Sequence, residues 1–297
     1  MNMRIGRPVV GGERHARKRH MHTVGRPTSA ERLALALIHR TLDGSATVGR
    51  AALLTTSTVR WITNDIVRFR FPVGEWLQQA WFLLTVTAGP AALIAIPFGA
   101  MISVQAGGIL HDVGATSLAG AAAGLGIVRQ GAPMAAGLLM GGAAASAIAS
   151  DLGTRSIRDE VDAMRVMGVD PVQRLVAPRL AAMITIAPII LATITLVGVG
   201  ASLLISIQLS NVSVGSFWAS FGGFATVTDL IFALLKTLVG AALVAVIASL
   251  RGLEARGGPK GVADAVNAAV VLSIVTIVFE GLVFTQVQTL FFPEQFA

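Results

Sequence analysis

The chain contains no cysteine. A disulfide scaffold and a thiolate metal site are both excluded by that absence. Charge is scarce: 13% of the 297 residues are Asp, Glu, Lys or Arg, against 54% hydrophobic residues, and the mean hydropathy is +0.73. Those values lie far from a soluble domain. No G-x-x-x-x-G-K-[ST] stretch occurs, so the chain lacks that device for holding and hydrolysing ATP. The five histidines are His15, His20, His22, His39 and His111, and none is spaced as a metal ligand pair. The glycine-rich RGLEARGGPKG, starting at Arg251, sits between two apolar runs rather than after a strand. It reads as a tight loop whose glycines supply positive φ angles, in preference to a phosphate cradle. The expected set of catalytic residues and metal ligands is therefore empty.

What the chain has in abundance is apolar sequence. Several runs exceed the roughly eighteen residues that cross a bilayer as a helix. Five spans are expected: within Trp76 to Leu110, from Pro133 to Ala149, from Ala181 to about Ile207, from Leu230 to Leu250, and from about Val262 to Leu290. The first run is too long for one straight crossing, and Pro90 and Pro97 offer kinks. Between Ser117 and Leu152 the sequence is rich in Gly and Ala, with Arg129 and Pro133 dividing a short outer or re-entrant piece from the second span. Gly137, Gly141, Gly142, Ala144, Ala145 and Ser146 present small residues to a neighbouring helix. Pro188 interrupts the third span.

Basic residues gather in the N-terminal arm and in two loops, while HDVGATS, the stretch from Ser210 to Asp229 and the tail FFPEQFA carry no Lys or Arg. The net charge of +7 is thus distributed as in a multi-pass protein with its N-terminus cytoplasmic and its C-terminus outside. Residues 1–27 read as a flexible basic cytoplasmic arm: no apolar h-region follows Arg19, so it is not a signal peptide. It is suited to anionic lipid and, with no folded reader behind it, not to nucleic acid. Residues 28–74 read as amphipathic interfacial helices. Thr28 and Glu31 make a capping box before ERLALALIHR, a second helix covers Arg50 to Ile66, and Trp61, Arg68, Phe69, Arg70 and Phe71 mix aromatics with cations as the headgroup region favours.

The densest charged segment is TRSIRDEVDAMRVMGVDPVQRLVAPRLAA, from Thr154 to Ala182. Ser156 and Asp159 form a variant capping box. Ile157, Val161 and Met164 make one apolar stripe, with Arg158, Asp159, Asp162 and Arg165 off it. Gly168 is a helix stop, and Asp170–Pro171 start a new helix. A short charged helix between two spans lies on the membrane surface or docks a soluble partner.

The stretch EVDAMRVMGVDPVQRLVAPRLAA resembles the signature of the MlaE/YrbE permeases, membrane subunits of ABC transporters that work with MCE proteins. GLEARGGPKGVADAVNAAVV, from Gly252 to Val271, is a second match, and IVRQGAP, from Ile127 to Pro133, a weaker third. The resemblance covers roughly Glu75 to Leu290, so residues 75–297 are assigned to a permease domain. It is nearest to the A-type YrbE subunits of actinobacterial Mce systems. It implies an all-α integral membrane protein of the inner (plasma) membrane, with five transmembrane helices preceded by interfacial helices and a cytoplasmic coupling helix between spans two and three. Arg158, Asp159, Glu160, Asp162 and Arg165 would meet a cytoplasmic ABC ATPase. That partner would carry the ATP-Mg; this chain needs no cofactor and is not itself an enzyme. A second, homologous permease chain, MCE proteins on the outer side and a hydrophobic lipid (fatty acid, sterol or phospholipid), moved inward, complete the implied assembly.

Two charges lie inside expected spans. Lys236, in the fourth, and Glu280, in the fifth, both fall in the outer half of the membrane, where an unpaired charge is costly. They are expected within reach of each other, directly or through water, beside a lipid pocket. Arg129 and Gln130 join them as pocket candidates; Arg129 is either a snorkelling anchor or a headgroup contact. Two other classes stay open on the residues alone: an ion-coupled secondary transporter, which would want more mid-membrane ionisable groups and an inverted repeat, and a non-transporting membrane scaffold.

Overall fold

The computed structural model describes residues 49–58, 60–62 and 72–292. Within them the chain is helix joined by short turns, with no β-strand among the described residues. The basic arm, the capping box at Thr28, the aromatic–cation stretch after residue 62 and the last five residues lie outside the described residues. Of the expected interfacial region, residues 49–58 and 60–62 are helical.

Five helical runs are long and apolar enough to cross a membrane: Val73–Asp112, Thr116–Ile157, Val172–Leu209, Val227–Leu253 and Pro259–Phe291. The second is the centre of the bundle. In its most apolar eighteen-residue stretch 67% of residues are buried, against 17% in the first and fifth. Its composition explains that position. Ala132, Ala136, Ala144, Ala145 and Ala149 are fully buried, and side chains this small let neighbouring backbones approach closely. A Cβ at Gly141 would stand 2.9 Å from Ile277 on the fifth helix, and one at Gly252 would press on Leu152 and Ala149. The expected small-residue contact is thus made within the chain, while Gly142 faces open space. The first and third helices cross where Gly99 meets the backbone of Gly198. Ser103 ties the same two helices by donating to the Ser202 carbonyl (3.0 Å) and pairing with Ser206 Oγ (2.8 Å).

Arg129 and Pro133 do not divide the second segment. The helix is continuous, and two wide π-helical stretches, Gly124–Gly131 and Met140–Ala144, lie inside it. Proline cannot donate the regular helical hydrogen bond. A widened turn just before Pro133 absorbs that loss and re-aims the side chains that follow. Helix likewise continues through Pro90, Pro97 and Pro188.

At one end of the bundle lies Val214–Phe224, a short helix in a stretch expected to be loop. Its N-cap is Ser213, and Phe217 is fully buried against Gly120. At the other, charged end the second helix runs through Ile157. Ser156 therefore does not cap a helix; its hydroxyl reaches the carbonyls of Leu253 and Ala255 at 3.2 and 3.1 Å. The break comes at Asp159, in the left-handed region at φ 59°, and Glu160–Val166 follows as a separate helix. Gly168, at φ 77°, stops it, and Asp170 caps the next start by accepting from the Val172 N–H at 2.8 Å.

Candidate functional site

Thr226 and Asp229 form a reciprocal capping box at the start of the fourth helix. The cap fixes Asp229 as a fully buried carboxylate, 1% exposed. Burying such a charge demands partners, and it has them from three helices. Arg129 donates from Nε to Oδ1 (2.8 Å) and from Nη2 to Oδ2 (3.3 Å). Gln288 donates to Oδ1 at 2.8 Å. Thr226 donates its backbone N–H (3.1 Å) and hydroxyl (2.9 Å) to Oδ2. The second, fourth and fifth helices are thereby clamped on one carboxylate. Arg129, expected as an anchor or a headgroup contact, is committed to this clamp.

Two turns along the fourth helix, on the same face as Asp229, stands Lys236, which is 5% exposed. Its ammonium donates to Gln130 Oε1 (3.1 Å), Thr285 Oγ1 (3.3 Å) and the Arg129 carbonyl (3.5 Å). Gln130 and Thr285 are themselves bonded at 3.2 Å. One turn further, Gly240 leaves room for the Glu280 carboxylate: a Cβ there would lie 3.7 Å from Oε2. Lys236 and Glu280 both line a cavity of about 180 Å³, with Gln130, Met134, Gly240 and Ile277 around them. No ion pair joins the two charges among the described residues. Of the two expected arrangements, direct or through water, the direct pair is not made: acceptors on Gln130, Thr285 and the Arg129 backbone take the ammonium. Glu280 Oε1 is left buried without a hydrogen-bond partner. Met134 also lines a second cavity of about 410 Å³, walled by Ile94, Phe98, Leu138 and Leu139 among other apolar groups. A mostly apolar pocket that carries Gln130, Lys236 and Glu280 thus adjoins a wholly apolar one at Met134.

The structure therefore brings together all four expected pocket residues, and adds Asp229, Gln288, Thr285 and Thr226. Hydropathy alone puts Asp229 at the end of a loop; the T-x-x-D pattern before an apolar run is the signal that places it at a helix start. Gln288 and Thr285 share a face of the fifth helix, but as uncharged residues they leave little trace in a hydropathy pattern.

The charged end is a second candidate site. Buried Arg179 bonds Asp151 and the Leu175 carbonyl. Asp151 also accepts from Arg155 (3.3 Å), and Arg155 reaches Glu160 at 3.7 Å. This chain of charges runs from the third helix through the second to the short helix. Val161 is buried and Met164 packs on the core, whereas Arg158, Asp159, Asp162 and Arg165 are exposed. Val166 and Met167, at the tip, are 88% and 70% exposed. A cleft of about 330 Å³ separates the short helix from the Leu253–Gly258 turn. Residues 49–58 and 60–62 meet this end, with Arg50 pairing with Glu254 (3.1 Å) and Trp61 Nε1 donating to Asp170 (3.1 Å). No group of three or more His, Asp or Glu among the described residues is arranged to hold a metal ion.

Five apolar helices around a buried ionic cluster define a multi-pass membrane protein built to keep polar groups inside the bundle. Residues 76–287 match the family model described as Permease MlaE. The chain belongs to the MlaE permease family. It is 32% identical over 187 residues to a probable ABC transporter permease protein of Synechocystis, covering 63% of this chain and 71% of that one. It is 25% identical over 238 residues to the intermembrane phospholipid transport system permease protein MlaE of Haemophilus influenzae, covering 80% of this chain and 89% of that one. The Arabidopsis chloroplast protein TRIGALACTOSYLDIACYLGLYCEROL 1 is 31% identical over 149 residues, which is 50% of this chain and 43% of that one.

Proposed function

We propose that the chain is the membrane-embedded permease subunit of an ABC transporter that moves lipid across the cell envelope. The observation that carries the reading is the pair of adjoining cavities, one wholly apolar and one that sets Lys236 and Glu280 among apolar walls. An amphiphile needs apolar walls and a few charged groups, and an ionisable residue within a membrane span marks a functional site by default. The phospholipid transport role named for the Haemophilus relative supports it.

In this reading the chain hydrolyses nothing. ATP-Mg is bound by a separate cytoplasmic ATPase that docks on the Glu160–Val166 helix, contacting Arg158, Asp159, Glu160, Asp162 and Arg165 around the apolar tip of Val166 and Met167. The charge chain Glu160–Arg155–Asp151–Arg179 carries its movement to the second and third helices. The N-terminus is cytoplasmic and the C-terminus outside, residues 1–27 forming a basic arm, 28–74 an interfacial region and 75–297 the permease proper. A second, homologous permease chain completes the transport path, MCE proteins receive or deliver lipid on the outer side, and transport runs inward, as in an actinobacterial A-type YrbE subunit. Purification of the tagged chain from its native membrane tests the reading. An ABC ATPase and bound lipid are the expected companions; a chain that retains neither contradicts it.

A further inference from the structure

We infer that the Lys236–Glu280 cavity selects a zwitterionic headgroup: a phosphate on Lys236 joined to a primary ammonium on Glu280. The inference rests on the lipid-permease reading and deepens it. Three observations carry it. Lys236 stands buried with hydrogen bonds only to neutral groups, namely Gln130, Thr285 and a backbone carbonyl. An ammonium so placed has no carboxylate in contact, and its strongest available partner is an anion entering the cavity. Gln130 Nε2 and the Thr285 hydroxyl lie in the same cluster, so a phosphate displacing their mutual bond meets further donors.

Glu280 shows the opposite deficiency. Its Oε1 is buried and lacks any donor, and its Oε2 packs beside Gly240, four residues along the helix from Lys236. The cavity wall therefore carries an ammonium and an orphaned carboxylate that do not pair with each other. A headgroup that carries both a phosphate and an N–H cation answers both groups at once. A simple fatty acid satisfies Lys236 and leaves Glu280 orphaned. A glycerol headgroup brings hydroxyls but no cation. A quaternary ammonium has no N–H to donate. The cavity of about 180 Å³ takes a headgroup and not a whole lipid; the adjoining apolar cavity beyond Met134 receives chain.

The test is native mass spectrometry of the full-length chain released from nanodiscs containing equal amounts of phosphatidylethanolamine, phosphatidylglycerol, phosphatidylcholine and palmitic acid. Wild type should retain phosphatidylethanolamine about tenfold over each of the other three, the ratio expected from one additional hydrogen bond to a charged group. Glu280→Gln should still bind phospholipid but no longer prefer the ethanolamine headgroup. Lys236→Gln should retain markedly less of every phospholipid. Equal retention of all phospholipids, or a preference for palmitic acid, overturns the headgroup assignment alone. A wild-type chain that carries no lipid of any kind overturns this inference together with the reading it rests on.

Discussion

Replacing Asp229 with Ala removes the acceptor of five hydrogen bonds from Arg129, Gln288 and Thr226. The Arg129 side chain is 12% exposed, so its guanidinium would lose its carboxylate where water cannot replace it. Breaking a buried pair by deleting one partner costs about 3–5 kcal/mol, and loss of the capping box at the fourth helix adds about 1 kcal/mol. With about 2–4 °C per kcal/mol, the aggregation midpoint of the detergent-solubilised protein should fall by about 8–24 °C. Unfolding of such a protein is commonly irreversible, so wild type and variant must be heated for the same fixed time. The double variant Arg129→Met with Asp229→Leu removes both charges and should recover most of the loss. Size-exclusion chromatography after heating reads the midpoint. An Asp229→Ala midpoint within 2 °C of wild type, or a double variant less stable than the single one, would refute the clamp.

Other expectations follow from separate parts of the molecule. Gly141→Leu drives a branched side chain into Ile277 and Ser273 and should cost about 1–3 kcal/mol by overpacking, whereas Gly142→Ala, in open space, should leave the midpoint unchanged. Met167→Asp, at the exposed tip, should abolish co-purification of the ATPase without altering thermal stability; undiminished recovery of ATPase removes the tip from the docking surface. Glu160→Lys places a cation beside Arg155 and should weaken the same docking, read by the same pull-down. The native chain has no cysteine, so single cysteines at Val113 or Val214 should react with an impermeant thiol reagent from outside and one at Met167 should not; the reverse pattern inverts the topology.

The spans were legible because a bilayer imposes a long apolar run on any helix that crosses it. Their ends were less so: the fourth helix begins at Val227 rather than Leu230 because Thr226 and Asp229 cap it. The continuity of the second helix was hidden. Arg129 and Pro133 look like breakers, and nothing in local composition announces that wide turns will carry the helix past them. Ser156 fitted a helix cap by spacing, yet its hydroxyl serves a contact with Leu253 and Ala255, nearly a hundred residues on. Lys236 and Glu280 stood out as charges in apolar surroundings. Their neutral companions Gln130 and Thr285 make Lys236 the satisfied charge; Gln130 was among the expected pocket residues, but no rule of periodicity picks Thr285 from a helix face.

The most direct measurement of the central claim is ATP-driven lipid movement in proteoliposomes containing the chain with its co-expressed transporter subunits, using a fluorescent phospholipid and comparing wild type with Lys236→Ala. The account predicts transfer that requires ATP and falls at least tenfold in the variant, the loss of one charge-assisted contact, while ATPase docking is unchanged. Transfer by Lys236→Ala at the wild-type rate would contradict it.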